Sequence, residues 1–182
     1  MYHIGLIPMA ARPYHVGHDT LIRLAREECD QVFVFASTAD RVRRGEFSVR
    51  ADIMRKLWDD IIESLPQGVG VVFVPNPVGA VYEFIGLRNG DTMPVMKDEK
   101  LVIYSDPEDM ERNFSERSLA KYGGALANAR RLARRHVPRD TTVNVSGTQM
   151  RAWLMHGDKT KFVANLPETL DGDVVWKALS RR

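Results

Sequence analysis

Short apolar runs rich in β-branched residues recur along the chain, at Tyr2–Ile7, Gln31–Ala36, Val69–Val74, Lys100–Tyr104 and Thr141–Val145, each bounded by polar, Gly or Pro residues. Such runs predict buried strands. Between them the spacing turns helical: Ile53, Leu57, Ile61 and Leu65 form one stripe, widened by Met54, Trp58 and Ile62. A second helix is predicted by Leu119, Tyr122, Leu126, Ala129 and Ala133, with Arg130, Arg131, Arg134, Arg135 and His136 on its polar side. A third follows the first strand and turns Leu21, Leu24 and Ala25 to the core.

Strand and helix therefore alternate, and the strands are apolar on both faces. That pattern predicts an α/β fold: a single Rossmann-like, doubly wound, parallel five-stranded sheet with helices on both faces. No repeat, linker or low-complexity tract divides the chain, so one domain is expected over residues 1–182, with 159–182 supplying a turn and a packing helix over Leu170–Leu179.

Composition narrows the function. A chain of 182 residues that is 44% apolar can build one substantial core. Its formal charge of +2 is too small to indicate a nucleic-acid surface, which needs a concentrated basic face. The arginine-rich helix is read as a solvated face; as an RNA surface it would need stacking aromatics beside it, which it lacks. Cys29 is the lone cysteine, so no internal disulfide forms and a reducing cytoplasm is expected. The N-terminus has no basic and apolar leader pattern, and no stretch reaches membrane-spanning length. A cytoplasmic protein is expected, with no membrane partner and with self-association left open.

In a doubly wound sheet, ligands bind beyond the carboxyl ends of the strands. Two segments there carry chemistry. Pro13-Tyr14-His15-Val16-Gly17-His18 leaves the first strand and enters a helix. Gly17 permits close backbone approach, the helix start favours an anion, and imidazoles at positions i and i+3 share one side of the first turn. Both can donate to one phosphate. The competing readings are a helix cap beside a surface histidine, and a metal pair for which Asp19 is the only neighbouring acid.

The second segment, Val145-Ser146-Gly147-Thr148-Gln149-Met150-Arg151, repeats the geometry, with Met150, Trp153 and Leu154 available to pack inward. Ser146 or Thr148 can be a simple cap. Capping requires neither Gly147 nor an arginine one turn further on, and Arg151 suits the terminal phosphates of a triphosphate.

Together the two segments resemble the HxGH and ISxTxxR signatures of the nucleotidyltransferase superfamily, which includes cytidylyltransferases and nicotinamide-nucleotide adenylyltransferases. The resemblance runs from about Ile4 to Leu166 and is closest to compact phage-type members. The stretch Met9-Ala10-Ala11-Arg12-Pro13 lacks the Gly and Phe that many relatives carry before the first histidine, so base preference does not carry over.

The resemblance implies transfer of an AMP or CMP group from an NTP to a small phosphate-bearing acceptor, with release of pyrophosphate. It implies that His15 and His18 serve the α- and β-phosphates, Ser146 and Thr148 the β- and γ-phosphates, and Arg151 the γ-phosphate end, with Gly17 and Gly147 lining the nucleotide site. Mg²⁺ would be held mainly by substrate phosphates and water.

The loop after the second strand, with Arg41, Arg43 and Arg44, is expected to take the acceptor phosphate; Arg88 and Arg112 are weaker candidates. Ser105-Asp106-Pro107-Glu108-Asp109 is read either as a binder of base, acceptor or metal, or as acidic charge at a helix start. The alternative function is a nucleotide-sensing module of the same fold without turnover.

Overall fold

A computed structural model describes residues 1–89, 99–138 and 144–181. Its sheet has five strands, all paired in parallel, in the order β3-β2-β1-β4-β5. They are β1 (Tyr2–Met9), β2 (Gln31–Ser37), β3 (Val69–Val74), β4 (Glu99–Ser105) and β5 (Leu132–His136). The helices are α1 (Val16–Glu28), α2 (Ala51–Ser64), α3 (Pro77–Asn89), α4 (Pro107–Asn113), α5 (Glu116–Asn128), α6 (Gly147–His156), α7 (Lys159–Val163) and α8 (Gly172–Ser180).

The period of two along each strand sorts side chains into two cores. In β1, Ile7 and Met9 join α1, α2, α6 and α8 on one face, whereas Ile4 and Leu6 join α3, α4 and α5 on the other. In β2, Val32, Val34 and Ala36 take the first face and Phe35 the second. Leu101 and Ile103 of β4 are buried against the second face, Tyr104 against the first. The winding runs outward from β1 through β2 to β3, then crosses to β4 and β5. The topological switch therefore lies between β1 and β4, where a crevice opens.

The doubly wound architecture agrees with the sequence pattern, but its fifth strand does not lie at Thr141–Val145. Residues 141–143 of that run lie outside the described residues, and Asn144 and Val145 are irregular. The fifth strand is Leu132–His136, expected as the end of a helix. Helix α5 stops at Asn128, and Arg130 takes a left-handed φ of 55°, which ends helical continuation. The chain then turns back along β4, so Arg134, Arg135 and His136 belong to an edge strand. They pair with acids there: Arg134 with Glu111 and Glu116, Arg135 with Glu28, His136 with Glu111. No helical basic face exists in this segment. Charged side chains also suit an edge strand, because they discourage pairing with another chain.

Two smaller corrections concern helix faces. Ile62 is 39% exposed rather than part of the α2 core stripe, which is Met54, Leu57, Trp58 and Ile61. On α1 the buried apolar residues are Ile22 and Ala25, with Leu21 and Leu24 only half-buried. The C-terminal packing helix is present as α8, with Val175 and Leu179 in the first core. Among the described residues, no helix is long and apolar enough to cross a membrane.

Candidate active site

A cavity of about 770 Å³ occupies the switch-point crevice. Its volume falls in the range usual for small-molecule sites, roughly 300–1,000 Å³. The end of β1 contributes Pro8, Met9 and Ala10; the end of β4 contributes Ser105, Asp106 and, from α4, Asp109. His15, Gly17, His18, Val137, Pro138 and Val145 also line it.

The two histidines cap α1 reciprocally. His15 is the N-cap, and its Nδ1 accepts from Gly17 N–H at 3.2 Å, while His18 Nδ1 accepts from His15 N–H at 3.3 Å. A ring nitrogen that accepts a hydrogen bond carries no proton, so each neutral imidazole holds its proton on Nε2. The rings stack with centroids 3.8 Å apart, and Tyr14 stacks on His18 at 5.6 Å. Two donors of the same tautomer are thereby held side by side on the cavity wall. Gly17 leaves room for this, since a Cβ there would stand a tight 3.1 Å from the His15 ring.

The expected free N–H groups at the start of α1 are not there. Val16 N–H donates to Asn165 O, Gly17 N–H to His15 Nδ1 and His18 N–H to His15 O. Any anion on this side would be met by imidazole rather than by backbone. The cap reading of the histidines is therefore present in the structure, with Nδ1 as the capping atom of each ring. Asp19, the acid considered for a metal pair, is buried and held by Arg23 Nε at 2.6 Å and by Tyr14 Oη at 3.3 Å. Burial, with Asp19 beside it, pushes the Tyr14 hydroxyl well above the ordinary phenol range.

The second motif abuts the first. Arg151, 6% exposed, donates from Nη1 to the Arg12 carbonyl at 2.7 Å and from Nη2 to Thr148 Oγ1 at 3.0 Å. A Cβ at Gly147 would stand 3.3 Å from that carbonyl, so the absence of a side chain lets the start of α6 touch the loop before His15. Ser146 caps α6: its Oγ accepts from Gln149 N–H at 3.2 Å, and Gln149 Oε1 accepts from Ser146 N–H at 2.8 Å. The cavity lining includes Val145 but not Ser146, Gly147, Thr148 or Arg151, which meet the loop before His15 at the Arg12 carbonyl instead.

Among the loop arginines, Arg41 turns inward and forks onto Glu46, with Nε to Oε2 at 3.0 Å and Nη2 to Oε1 at 3.1 Å. Arg43 and Arg44 are exposed. Arg151 Nε also donates to Glu46 Oε2 at 3.0 Å, so one carboxylate joins the loop to α6. Hydrogen bonding from Arg41, with charge from Arg151, holds Glu46 below the usual carboxylate range. Burial lowers the Arg151 guanidinium from its ordinary value, and Arg41 adds to this while Glu46 opposes it. Arg88 pairs with Glu99 at 3.1 Å, and Arg112 with Glu108 and Asp109, so neither joins the site. Asp106 caps α4 through Asp109 N–H and also lines the cavity, so both readings of the 105–109 segment have a structural basis.

The sequence pattern did not point to Arg12, Glu46 or the cavity face of α1. Thr20, Leu21, Leu24 and Glu27 line the cavity at steps of three and four from Gly17, a helical face that begins at the histidine motif. That periodicity was available. Nothing local distinguished Arg12 or Glu46.

No family profile and no curated protein sequence matches the chain. Solved structures do. One is a Vibrio parahaemolyticus protein provisionally assigned as a nicotinate-nucleotide adenylyltransferase, with TM-score 0.57 and 16% identity over 96% of this chain and 99% of that one. Another is Thermotoga maritima TmcAL bound with alpha-thio ATP, with TM-score 0.55 and 15% identity over 98% of this chain and 55% of that one. At such identities the likeness establishes the fold: a Rossmann-like α/β sheet shared with these proteins.

Proposed function

We propose that the chain is a nucleotidyltransferase that passes an AMP or CMP group from an NTP to a small phosphate-bearing acceptor and releases pyrophosphate. The observation that carries this reading is the stacked His15–His18 pair, whose Nδ1 atoms are both engaged by backbone N–H groups at the edge of a nucleotide-sized cavity. Support comes from the fold neighbours, one provisionally assigned as an adenylyltransferase and one bound with an ATP analogue.

The acceptor oxygen attacks the α-phosphorus of the NTP as the bond to the bridging oxygen breaks, and the electron pair leaves with pyrophosphate. Negative charge grows on the α-phosphoryl and bridging oxygens. Donors already fixed in place stabilise that charge without reorganising at the moment of reaction. His15 and His18 supply Nε2–H donors for the α- and β-phosphates. Thr148 accepts from Arg151 and so keeps its own hydroxyl proton to donate, and Arg151 offers charge to the terminal phosphates.

Asp106 and Asp109 line the same cavity, with Asp106 Oδ1 accepting from Asp109 N–H and Asp109 Oδ1 from Arg112, and they are the acids that would face Mg²⁺ carried in on phosphates and held through water. When bound, Mg²⁺ would neutralise phosphate charge. Incubation of the purified protein with each of four NTPs and a panel of phosphorylated acceptors tests the reading. Acceptor-dependent pyrophosphate release supports it, and NTP binding without release in any combination supports the sensing module instead.

A further inference from the structure

Among the described residues, Arg12 is a buried charge whose guanidinium is only partly hydrogen-bonded. It is 8% exposed, and its Nε and Nη2 atoms are shut away from solvent with nothing to donate to. Such an arrangement is strongly unfavourable unless something compensates for it. The acid whose charge it feels is Asp40, whose Oδ1 already accepts from Ala51 N–H at 2.7 Å, and Arg41 adds a like charge nearby. Arg41 connects Arg12 to Arg151: its charge acts on both guanidinium groups, Arg151 also donates to the Arg12 backbone carbonyl, and the acids are Asp40 on the side of Arg12 and Glu46 on the side of Arg151, so positive charge is in excess.

Glu46 satisfies only part of the group. Its Oε2 takes Nε of both Arg41 and Arg151, its Oε1 takes Nη2 of Arg41, and neither oxygen has a hydrogen bond from Arg12. A phosphate group brings more charge and more acceptor oxygens than a carboxylate. Glu46 also sits where it can leave. It lies in a loop pinned at its base by two backbone hydrogen bonds between Arg41 and Val49, and it follows Gly45, whose φ is +82°. Its side chain is 27% exposed, so solvent already reaches it beside the closed base.

We infer that Arg12, Arg41 and Arg151 form a phosphate-binding compartment in which the Glu46 carboxylate holds the ligand's place and is displaced when a substrate phosphate binds. The inference rests on the chain being a protein that handles nucleotide phosphates. It adds Arg12 as a phosphate ligand and Glu46 as an internal competitor. The phosphate belongs either to the end of the NTP or to the acceptor, and the two sources require different probes.

Titration calorimetry on the full chain, with inorganic tripolyphosphate and with inorganic phosphate as probes, separates them. Glu46→Gln is expected to tighten binding of at least one probe by about three- to tenfold, the effect of removing a competing charged partner. A gain confined to tripolyphosphate assigns the compartment to the NTP; one confined to inorganic phosphate assigns it to the acceptor. Arg12→Met, similar in length and uncharged, is expected to weaken the same probe by roughly tenfold, the loss of one charge-assisted contact. Its ligand-free melting temperature should be no lower than that of the parent. Glu46→Ala removes the same carboxylate, should tighten binding like Glu46→Gln and serves if that variant does not fold.

Unchanged or weaker binding in a folded Glu46 variant overturns the inference. So does an Arg12→Met protein that melts lower and keeps its affinity, which would make Arg12 structural. None of these titrations requires turnover. The expected pattern in a protein that releases no pyrophosphate would leave the compartment and remove the transferase; pyrophosphate release with parental binding in both variants would do the reverse.

Discussion

Gly147 shows how little space separates the two motifs. A Cβ would come within 3.1 Å of Arg151 Nη1 and 3.3 Å of the Arg12 carbonyl, the two atoms whose hydrogen bond ties α6 to the loop before His15. Gly147→Ala should cost about 1–3 kcal/mol, the usual penalty for overpacking, read by urea denaturation. A loss below about 0.5 kcal/mol, within the ordinary surface range, would mean the contact is not held. His18→Ala should lower turnover by roughly two to three orders of magnitude, the scale for removing one fixed donor to a developing oxyanion, with a smaller effect on NTP affinity. Parental turnover in the folded variant would remove His18 from the chemistry. The pairing of His15 with His18 at the start of α1 was legible because it depends on spacing within one helical turn. Arg12 and Glu46 were not, because their significance arises across the fold: Glu46 meets Arg151 over a separation of 105 residues.

Elements were legible where periodicity was undisturbed. The α2 stripe and four of the strands follow from apolar spacing, whereas Leu126, Ala129 and Ala133 continue a helical period across Arg130, where the backbone breaks. The period of the sequence did not register the turn, and arginines in a strand hid its identity. At α6, the Ser146–Gln149 capping box predicts that Ser146→Ala lowers stability by about 1 kcal/mol even without ligand. Unchanged melting would contradict the cap. Strand β5 is joined to α1 by Arg135, which grips Glu28, while Tyr104 donates to the same carboxylate at 2.9 Å. The Arg135 hydrogen bond, opposed by partial burial and aided by Tyr104, holds Glu28 below its ordinary value. A carboxylate depressed on folding contributes stability above its unfolded value and loses it as the pH falls through the folded one. Melting should therefore drop as pH falls below about 4, the ordinary glutamate value, and Glu28→Gln should start lower at neutral pH and fall less steeply. Parallel pH profiles for parent and variant would show that the pair contributes nothing.

At the scale of the molecule, the site follows from the winding. Two core layers on opposite faces force the chain to cross between β1 and β4, and the crevice left there receives the histidines from the strand just ended. The Ser-Gly-Thr turn reaches the same edge through Val145 and the Arg151–Arg12 contact. Fold class was readable because burial on both strand faces leaves few alternatives; the cavity was not, because its walls come from five separate stretches of chain.

The central claim is transfer, and the fate of the α-phosphate tests it most directly. The protein is incubated with Mg²⁺, an NTP labelled at the α-phosphate and phosphorylated acceptors, and the products are separated. The account predicts label joined to an acceptor in step with pyrophosphate release, both suppressed in His18→Ala. Label that stays in intact NTP across all acceptors, despite measurable NTP binding, would contradict it.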